Sequence, residues 1–226
     1  MGTTIYPIRL GLNSCYIIQE KGLIMIDGGV PKKINTFRKA ISKIPIDPRE
    51  LQLLIVTHGH FDHAGSARDI KEMTGARIVM HQADREMVEK KLPAIPPAAS
   101  TWGGVLHKIL KPLIPLVSSF PATQIDLVLD VESFSLTEYG IQGQIIHTPG
   151  HTAGSVSVLL DTGDAFVGCM AHNNLPFRLN PGLPIFAEDL EQIKTNWRLL
   201  LNRGAKTIYP GHGKPFSADV IRRILS

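Results

Sequence analysis

The chain has 226 residues, of which 43% are hydrophobic and 19% are charged, and its formal net charge is +4. This composition excludes a disordered chain, and the length favours a single domain over residues 1–226 with a substantial core. The positive charge is modest and forms no basic block, so we expect no nucleic-acid partner.

Cysteine usage and the N-terminal residues favour a cytoplasmic protein. Cys15 and Cys169 allow at most one disulfide, which a domain of this size does not need, so reduced thiols are expected. The N-terminus lacks the basic start and apolar stretch of a signal peptide. No apolar run reaches the length of a membrane span, so we expect no stable membrane insertion. A homo-oligomer is left open.

Strands and helices alternate in the first part of the chain. Short apolar runs bounded by turn residues predict strands over 13–18, 23–26, 51–57 and 76–80. Periodic apolar residues predict helices over 31–42 and 63–73, the first opening at Pro31 and the second ending before Gly75. The pattern breaks in a Pro-rich insert at 92–121.

Regular structure resumes after the insert. Strands are predicted over 127–131, 133–136, 142–147, 155–160, 165–168 and 206–209. Helices are predicted over 188–202 and from a Ser217 cap to Leu225. Each half of the chain is therefore a set of strands followed by helices, which predicts two sheets packed face to face with helices outside.

The most informative motif lies at residues 57–65, Thr-His-Gly-His-Phe-Asp-His-Ala-Gly, directly after an apolar strand. It places His58, His60, Asp62 and His63 within six positions. These side chains are metal ligands, and their position at the end of a rigid strand predicts chemistry done by a metal ion. A polar loop whose histidines cap a helix is the alternative.

Two further histidines follow predicted strands in glycine-containing loops. His151 lies in a Thr-Pro-Gly-His-Thr loop and His212 in a Pro-Gly-His-Gly loop. Glycine lets the backbone approach a bulky centre closely. His147 is still inside its strand, so we expect it to support the loop that carries His151. Loops at strand ends are common places for sites, so the three motifs predict one metal centre.

Together these motifs resemble the metallo-β-lactamase superfamily of hydrolases. The matching pieces are the strand ending in Asp27-Gly-Gly, the His-x-His-x-Asp-His run and the loops of His151 and His212. The resemblance extends from the strand at 13–18 to the final helix. It implies an α+β fold, a four-layer αβ/βα sandwich, with metals in a groove at one edge.

The resemblance also implies two Zn(II) ions, with iron or manganese as alternatives. By the family pattern, one metal is held by His58, His60 and His151. The second metal is held by Asp62, His63 and His212. Asp27 would brace the ligand loops from behind, as partners of metal ligands do. A plain turn residue before two glycines is the alternative for Asp27.

One position departs from the family pattern. Most hydrolases of the superfamily carry Gly-Asp after the hairpin strand, and that Asp bridges the metals, whereas residues 166–169 here read Phe-Val-Gly-Cys. A thiolate keeps the charge of a carboxylate but has one donor atom, is soft and favours zinc. We predict that Cys169 is a ligand that bridges less readily than Asp, with a small apolar core residue as the alternative. His172 would line the pocket or lie at the surface.

The ligand set predicts a zinc-dependent hydrolase. A metal-bound hydroxide, oriented by Asp62, would attack a small carbonyl substrate such as an ester, lactone, thioester or β-lactam. The alternative enzyme is a mononuclear iron dioxygenase that acts on a persulfide. A module that retains metal without turnover is a third interpretation.

The insert at 92–121 is predicted to cover the groove as a lid. Its apolar residues would form a wall for an acyl group: Ile95, Trp102, Leu106, Ile109, Leu110, Leu113, Ile114 and Leu116. Lys108 or Lys111 would be available for a substrate carboxylate. Packing on the core, on a second subunit or on a membrane surface are the alternatives.

Overall fold

Two six-stranded sheets form the centre of the protein. The computed structural model describes residues 2–92, 96–113, 115 and 119–226. The described residues form the strands β1 (Thr4–Arg9), β2 (Ser14–Gln19), β3 (Leu23–Ile26), β4 (Leu53–Ile55), β5 (Arg77–His81), β6 (Leu127–Leu129), β7 (Ser133–Ser135), β8 (Gly143–His147), β9 (Val156–Leu160), β10 (Asp164–Phe166), β11 (His172–Asn173), β12 (Thr207–Tyr209), β13 (His212–Gly213) and β14 (Phe216–Ser217). The described residues also form the helices α1 (Ile34–Ile41), α2 (Phe61–Ala64), α3 (Ala67–Thr74), α4 (Arg85–Glu89), α5 (Thr101–Leu110), α6 (Leu190–Asn202) and α7 (Asp219–Leu225).

The strand order places the ends of several strands at one edge. The first sheet runs β1-β2-β3-β4-β5-β6, and β3 to β6 are parallel, with Ile26 paired to Ile55 and Ile55 to Val79. The second sheet runs β14-β12-β10-β9-β8-β7, in which only the β10–β12 pair is parallel among the described strands. Parallel strands bring their carboxyl ends together, which is where loops that carry ligands collect.

Alternating side chains build a core on both faces of each sheet. In β2, Ile17 packs toward α1 and α3, whereas Ile18 packs into the cluster between the two sheets. Phe37 of α1 is fully buried in the first cluster, and Trp197 of α6 is fully buried against the outer face of the second sheet. The layers are therefore helix, sheet, sheet and helix, as the sequence predicts.

Local departures from the predicted elements have identifiable causes. The single helix predicted over 63–73 is wrong, because the chain turns at Gly65 and Ser66 between α2 and α3. Ser66 Oγ donates to Val30 O at 2.7 Å and accepts from Lys33 N at 2.9 Å, so the break fastens the loop after β3. The first helix begins at Ile34 and not at Pro31.

Several elements are absent from the sequence prediction, among them β1 and α5. Strand β1 contains Pro7, which disfavours a strand assignment but is tolerated at the edge of a sheet, where β1 lies. The insert contains α5, whose first turn is capped by Ser100 Oγ accepting from Gly103 N at 3.0 Å. Within the described residues, no helix is long and apolar enough to cross a membrane.

Candidate metal centre

Strand ends from both sheets bring the predicted ligands to one place. The loop after β4 carries His58 and His60, and the short helix α2 that follows carries Asp62 and His63. The other predicted ligands follow β8, β10 and β12, and they are His151, Cys169 and His212. The imidazoles and the thiol are buried. Residues as far apart in the sequence as His58 and His212 therefore meet at one edge of the sandwich.

The first group of donor atoms contains His58, His151 and Cys169, whose ligand atoms all lie within 4.8 Å of one another. His60 joins them, because its Nδ1 lies 3.2 Å from His151 Nε2. The ring centroids of His58 and His60 are 4.6 Å apart and nearly perpendicular. The three histidines that sequence analysis assigns to one metal are thus brought together.

The second group contains His63, Cys169 and His212, again with all ligand atoms within 4.8 Å of one another. Asp62 lies beside this group. Its Oδ2 is 3.1 Å from His212 Nε2 and 3.9 Å from His63 Nε2. The structure therefore gathers the residues assigned to the second metal as well.

The Cys169 sulfur belongs to both groups. It lies 3.2 Å from His63 Nε2, and it is surrounded by imidazoles rather than by apolar core atoms. That a thiolate bridges two metals less readily than a carboxylate stays a prediction. Although burial raises the pKa of the Cys169 thiol, the nearby His63, His212 and His151 rings lower it well below its usual range. The lowered pKa favours the thiolate form of this sulfur, which is common to the two groups.

Hydrogen bonds orient three rings with Nε2 toward the centre. His151 Nδ1 donates to Phe186 O at 2.9 Å, and His63 Nδ1 donates to the Asp27 carboxylate at 2.7 Å. Thr57 Oγ1 donates to Asp27, so its oxygen accepts from His58 Nδ1 at 3.1 Å. A ring that donates from Nδ1 keeps its Nε2 lone pair for a metal.

The protonation states of the histidines in the cluster are compatible with a bound cation. Burial, and then the other rings, lower the pKa of His58 and bring that of His60 to about 3, so both rings stay neutral. Burial opposes a charge on His212, but Cys169 and Asp62 raise its pKa to about 9. The same balance, with Asp27 as the largest raising charge, holds the pKa of His63 well above its usual range. Protons on these rings balance buried anions, and a divalent cation would do the same.

The surroundings of one donor atom show whether the residues fit a metal. His58 Nε2 is buried and has no hydrogen-bond partner among the described residues. Buried polar atoms are almost always paired, so an unpaired one needs an explanation. Imidazole and thiolate donors surround this nitrogen, and these are the ligands that zinc prefers. The residues present therefore fit a divalent cation.

Residues 8–212 match the family model described as the metallo-beta-lactamase superfamily. The chain belongs to this superfamily. A probable metallo-hydrolase of Bacillus subtilis is 27% identical over 172 residues, which are 72% of this chain and 62% of the relative. The matched part thus spans less than two thirds of that relative's length. A hydroxyacylglutathione hydrolase of Haemophilus influenzae is 26% identical over 162 residues, 70% of this chain and 66% of the relative.

A solved structure supports the fold. An archaeal metallo-beta-lactamase superfamily protein from Sulfolobus tokodaii superposes with a TM-score of 0.68 at 22% identity, covering 98% of this chain and 84% of that protein. The predicted α+β four-layer αβ/βα sandwich is therefore confirmed. Members of the superfamily bind metal ions, and the described residues of this member hold the two donor groups.

Asp27 connects both halves of this superfamily site. Its carboxylate accepts from Thr57 N at 2.8 Å, from Thr57 Oγ1 at 2.9 Å and from His63 Nδ1 at 2.7 Å. Its φ of 62° is in the left-handed region, which Asp tolerates better than most residues. Asp27 is therefore more than a turn residue, because it holds the His63 ring directly and the His58 ring through Thr57.

Asp84 is a residue that sequence reasoning missed. Its buried carboxylate accepts from Gly59 N at 2.9 Å, from Gly154 N at 2.8 Å and from Thr152 Oγ1 at 2.7 Å. It thereby ties the loop after β4 to the loop after β8. The only signal in the sequence is a lone carboxylate a few residues beyond the predicted strand at 76–80, which is too weak to identify it.

His147 supports the same loop, as predicted. It ends β8, and its Nε2 lies 2.9 Å from Ala153 O, so it closes the loop that carries His151. Its ring stacks on His81 with centroids 3.8 Å apart. Sequence analysis does not predict this contact, because the two strands belong to different sheets.

A cavity of about 580 Å³ opens beside the donor groups. Its apolar wall includes Leu12, Val30, Phe61, Leu110, Leu113, Phe177 and Phe186. Lys32 and Lys33 line it, whereas the predicted Lys108 and Lys111 are not among its described lining residues. The loop after β3 supplies the cations because Ser66 fastens it there.

Only part of the predicted insert wall faces this cavity. Leu110 and Leu113 line it, Leu106 is buried against Ile185 and Phe186, and Trp102 and Ile109 are exposed on the outside. Ile95, Ile114 and Leu116 lie outside the described residues. The lid role of the insert stays a prediction.

His172 is a further residue that the structure places beside the donor groups. It is buried, it lines the cavity, and neither of its ring nitrogens has a hydrogen-bond partner among the described residues. The surface alternative for His172 is therefore wrong. Its ring packs edge to face on His212 at 5.4 Å, because β11 pairs with β13. Burial is the main reason that its pKa falls to about 4.

Proposed function

We propose that this protein is a zinc-dependent hydrolase of a small carbonyl substrate with an apolar acyl part. The observation that carries the proposal is the pair of donor groups that share the Cys169 sulfur beside a largely apolar cavity. Esters, lactones, thioesters and β-lactams are the substrate classes that such a site accommodates.

Donor chemistry supports zinc. Neutral imidazoles and a thiolate suit zinc, whereas magnesium, calcium and manganese prefer oxygen donors. Cys169 would contribute its thiolate to both donor sets. Three histidines (His58, His60 and His151) complete the first set, and His63, His212 and Asp62 complete the second. Iron uses similar donors, so metal analysis is part of the test.

A bound divalent ion would supply Lewis acidity and a water whose pKa is near neutral. The chain's own residues position the reactants. Asp62 lines the cavity, and the carboxylate oxygen that does not serve as a ligand would accept a hydrogen bond from the attacking water and orient it. His172 presents a neutral ring to the cavity, from which one N–H can donate to the substrate oxygen.

The cavity supports a substrate with one apolar and one anionic end. Leu110, Leu113 and Phe177 would contact an acyl chain, and Lys32 and Lys33 would attract a carboxylate. The similarity to a hydroxyacylglutathione hydrolase makes a thioester the first class to assay. Lactones, esters and β-lactams complete the panel.

The persulfide dioxygenase is the weaker alternative. A mononuclear iron site needs the three histidines of the first group and gives no role to the second. Three buried side chains brought within 4.8 Å of one another (His63, Cys169 and His212) would then be unexplained. A module without turnover leaves the apolar cavity beside the donors unexplained in the same way.

Metal analysis and an activity screen on one preparation test the proposal. We expect about two zinc equivalents per chain and hydrolysis of at least one carbonyl class. Asp62→Asn should lower the rate by about 100-fold or more, whereas Asp69→Asn on α3 should change it little. One iron with oxygen uptake would favour the dioxygenase. Metal binding without turnover of any panel substrate would contradict the hydrolase.

A further inference from the structure

The outer face of α5 is apolar and exposed. Trp102, Val105 and Ile109 recur at helical spacing on this face, and Trp102 is 50% exposed. Beside this face, Gly103 and Leu106 are buried against Ile185 and Phe186. The helix is therefore fixed to the protein along one side, and the large apolar side chains next to that contact face solvent.

Neighbouring loops extend this face. Trp102 Nε1 donates to Pro176 O at 2.8 Å, which places the tryptophan beside the loop of Leu175 and Leu179. Both leucines are exposed, as is Leu113 beyond the end of α5. We call this set the insert patch: Trp102, Val105, Ile109, Leu113, Leu175 and Leu179. Apolar groups exposed together on one side of a protein mark a contact surface more often than single ones do.

The insert segment, which carries Trp102, Val105, Ile109 and Leu113 of the insert patch, is cationic. Residues 90–125 contain four lysines and no aspartate or glutamate. Lys108 and Lys111 are exposed, and neither forms a salt bridge within the described residues. Across the cavity, Lys32 and Lys33 add positive charge, also without a described salt bridge.

We propose that the insert patch docks on an anionic membrane surface. An amphipathic helix with tryptophan on its apolar face and lysines at its border is suited to the lipid–water interface. Each lysine near an anionic surface raises partitioning by about fivefold. A second copy of the chain fits less well, because two cationic segments would then face each other.

Docking would also set the orientation of the cavity. Leu113 belongs to both the insert patch and the cavity wall, and Leu110 of α5 lines the same wall. The cavity mouth would thus lie close to the lipid, where amphiphilic acyl molecules concentrate. The docking itself does not depend on hydrolysis, so it is tested separately from the proposed function.

Tryptophan fluorescence gives a direct test. The chain has two tryptophans, and Trp197 is fully buried, so a change in emission on mixing with vesicles reports on Trp102. We expect a blue shift and co-sedimentation with vesicles of equal parts phosphatidylglycerol and phosphatidylcholine. With phosphatidylcholine alone, binding should be weaker by about tenfold or more, because the lysine contribution is lost.

Matched variants separate docking from general attraction of a basic protein. Val105→Ser with Ile109→Ser should weaken binding by about tenfold or more, because these side chains would be buried in the interface. Val131→Ser with Ile224→Ser, which are exposed apolar residues elsewhere, should leave binding unchanged. Lys108→Glu with Lys111→Glu should weaken binding to anionic vesicles only.

Three results would overturn the proposal. The first is no binding of the unmodified protein to the anionic vesicles. The second is equal loss in the two serine pairs, which would mean that the patch has no special role. The third is a concentration-dependent dimer that the Val105→Ser and Ile109→Ser pair dissociates, since the patch would then be covered by a second copy.

Discussion

The Cys169 sulfur lies 3.2 Å from Nε2 of His63. The other nitrogen of that ring is 2.7 Å from Asp27, so His63 lies between two anionic groups. A second proton makes the ring an imidazolium, whose single positive charge offsets one of the two negative charges. A cation bound at the centre would replace that proton, which links metal binding to proton release.

Cobalt substitution tests Cys169 as a ligand. The cobalt-loaded protein should show a sulfur-to-cobalt charge-transfer band in the near ultraviolet, and Cys169→Ser should lose it. Cys15→Ala is the matched control, because Cys15 is also buried but packs in the core behind the first sheet. Cys169→Asp should keep metal binding and retain or raise hydrolysis, because carboxylate restores the charge with two donor atoms. A band and a metal content unchanged in Cys169→Ser would reject the ligand role.

Asp27→Asn tests the support of His63. Asn tolerates the left-handed backbone of this position, so the change acts through the side chain. Its amide N–H cannot accept from His63 Nδ1, so the ring loses its orientation. We expect metal affinity to fall by about 10- to 100-fold, as measured by competition with a chelator. Asp161→Asn in an exposed turn is the control, and equal affinity of the two variants would contradict this role.

Asp84→Ala tests the connection between the two ligand loops. The substitution leaves the buried N–H groups of Gly59 and Gly154 unpaired, so the free energy of unfolding should fall by about 2 kcal/mol or more in urea titrations. Metal affinity should fall with it. Asp126→Ala is the matched control, since Asp126 accepts from Ile78 N near the other end of β5 but is partly exposed beside Lys71. Its loss should destabilise by only about 1 kcal/mol without changing metal affinity.

The stacked pair of His81 and His147 predicts a pH dependence of stability. Burial first, and then the His147 ring, lower the pKa of His81, while Asp130, Asp84 and Glu132 partly offset this. The unfolded chain then binds the proton more readily than the folded protein. The free energy of unfolding should therefore fall as the pH drops from about 6.5 towards the lowered pKa, and then level off.

His147→Phe checks the origin of this effect. Phenylalanine keeps a stacked ring but removes the like charge, so the pKa of His81 should rise. Proton NMR titration of the ring measures it directly. An unchanged His81 pKa in the variant would mean that burial alone sets the value.

Short-range patterns predicted the donors correctly as neighbours. His58 and His60 lie in the loop after β4 and His63 lies in the adjoining α2, so their spacing and the strand before them suffice to place them together. The glycine argument also holds at Gly211, where a Cβ atom would lie 2.6 Å from His63 Cε1. Helix ends were less predictable, because Ser66 forms contacts with the loop after β3 that no local pattern contains.

Local sequence patterns were enough to predict a metal-binding centre, because histidine, aspartate and cysteine at strand ends have few other uses in that arrangement. Three relations became visible only in the folded protein: the Cys169 sulfur lies in both donor groups, Asp84 ties two loops together, and Lys32 and not Lys108 lines the cavity. Each of these relations joins residues far apart in the chain. Their distances depend on how the sheets pack and where the loops turn, and local sequence carries no measure of either.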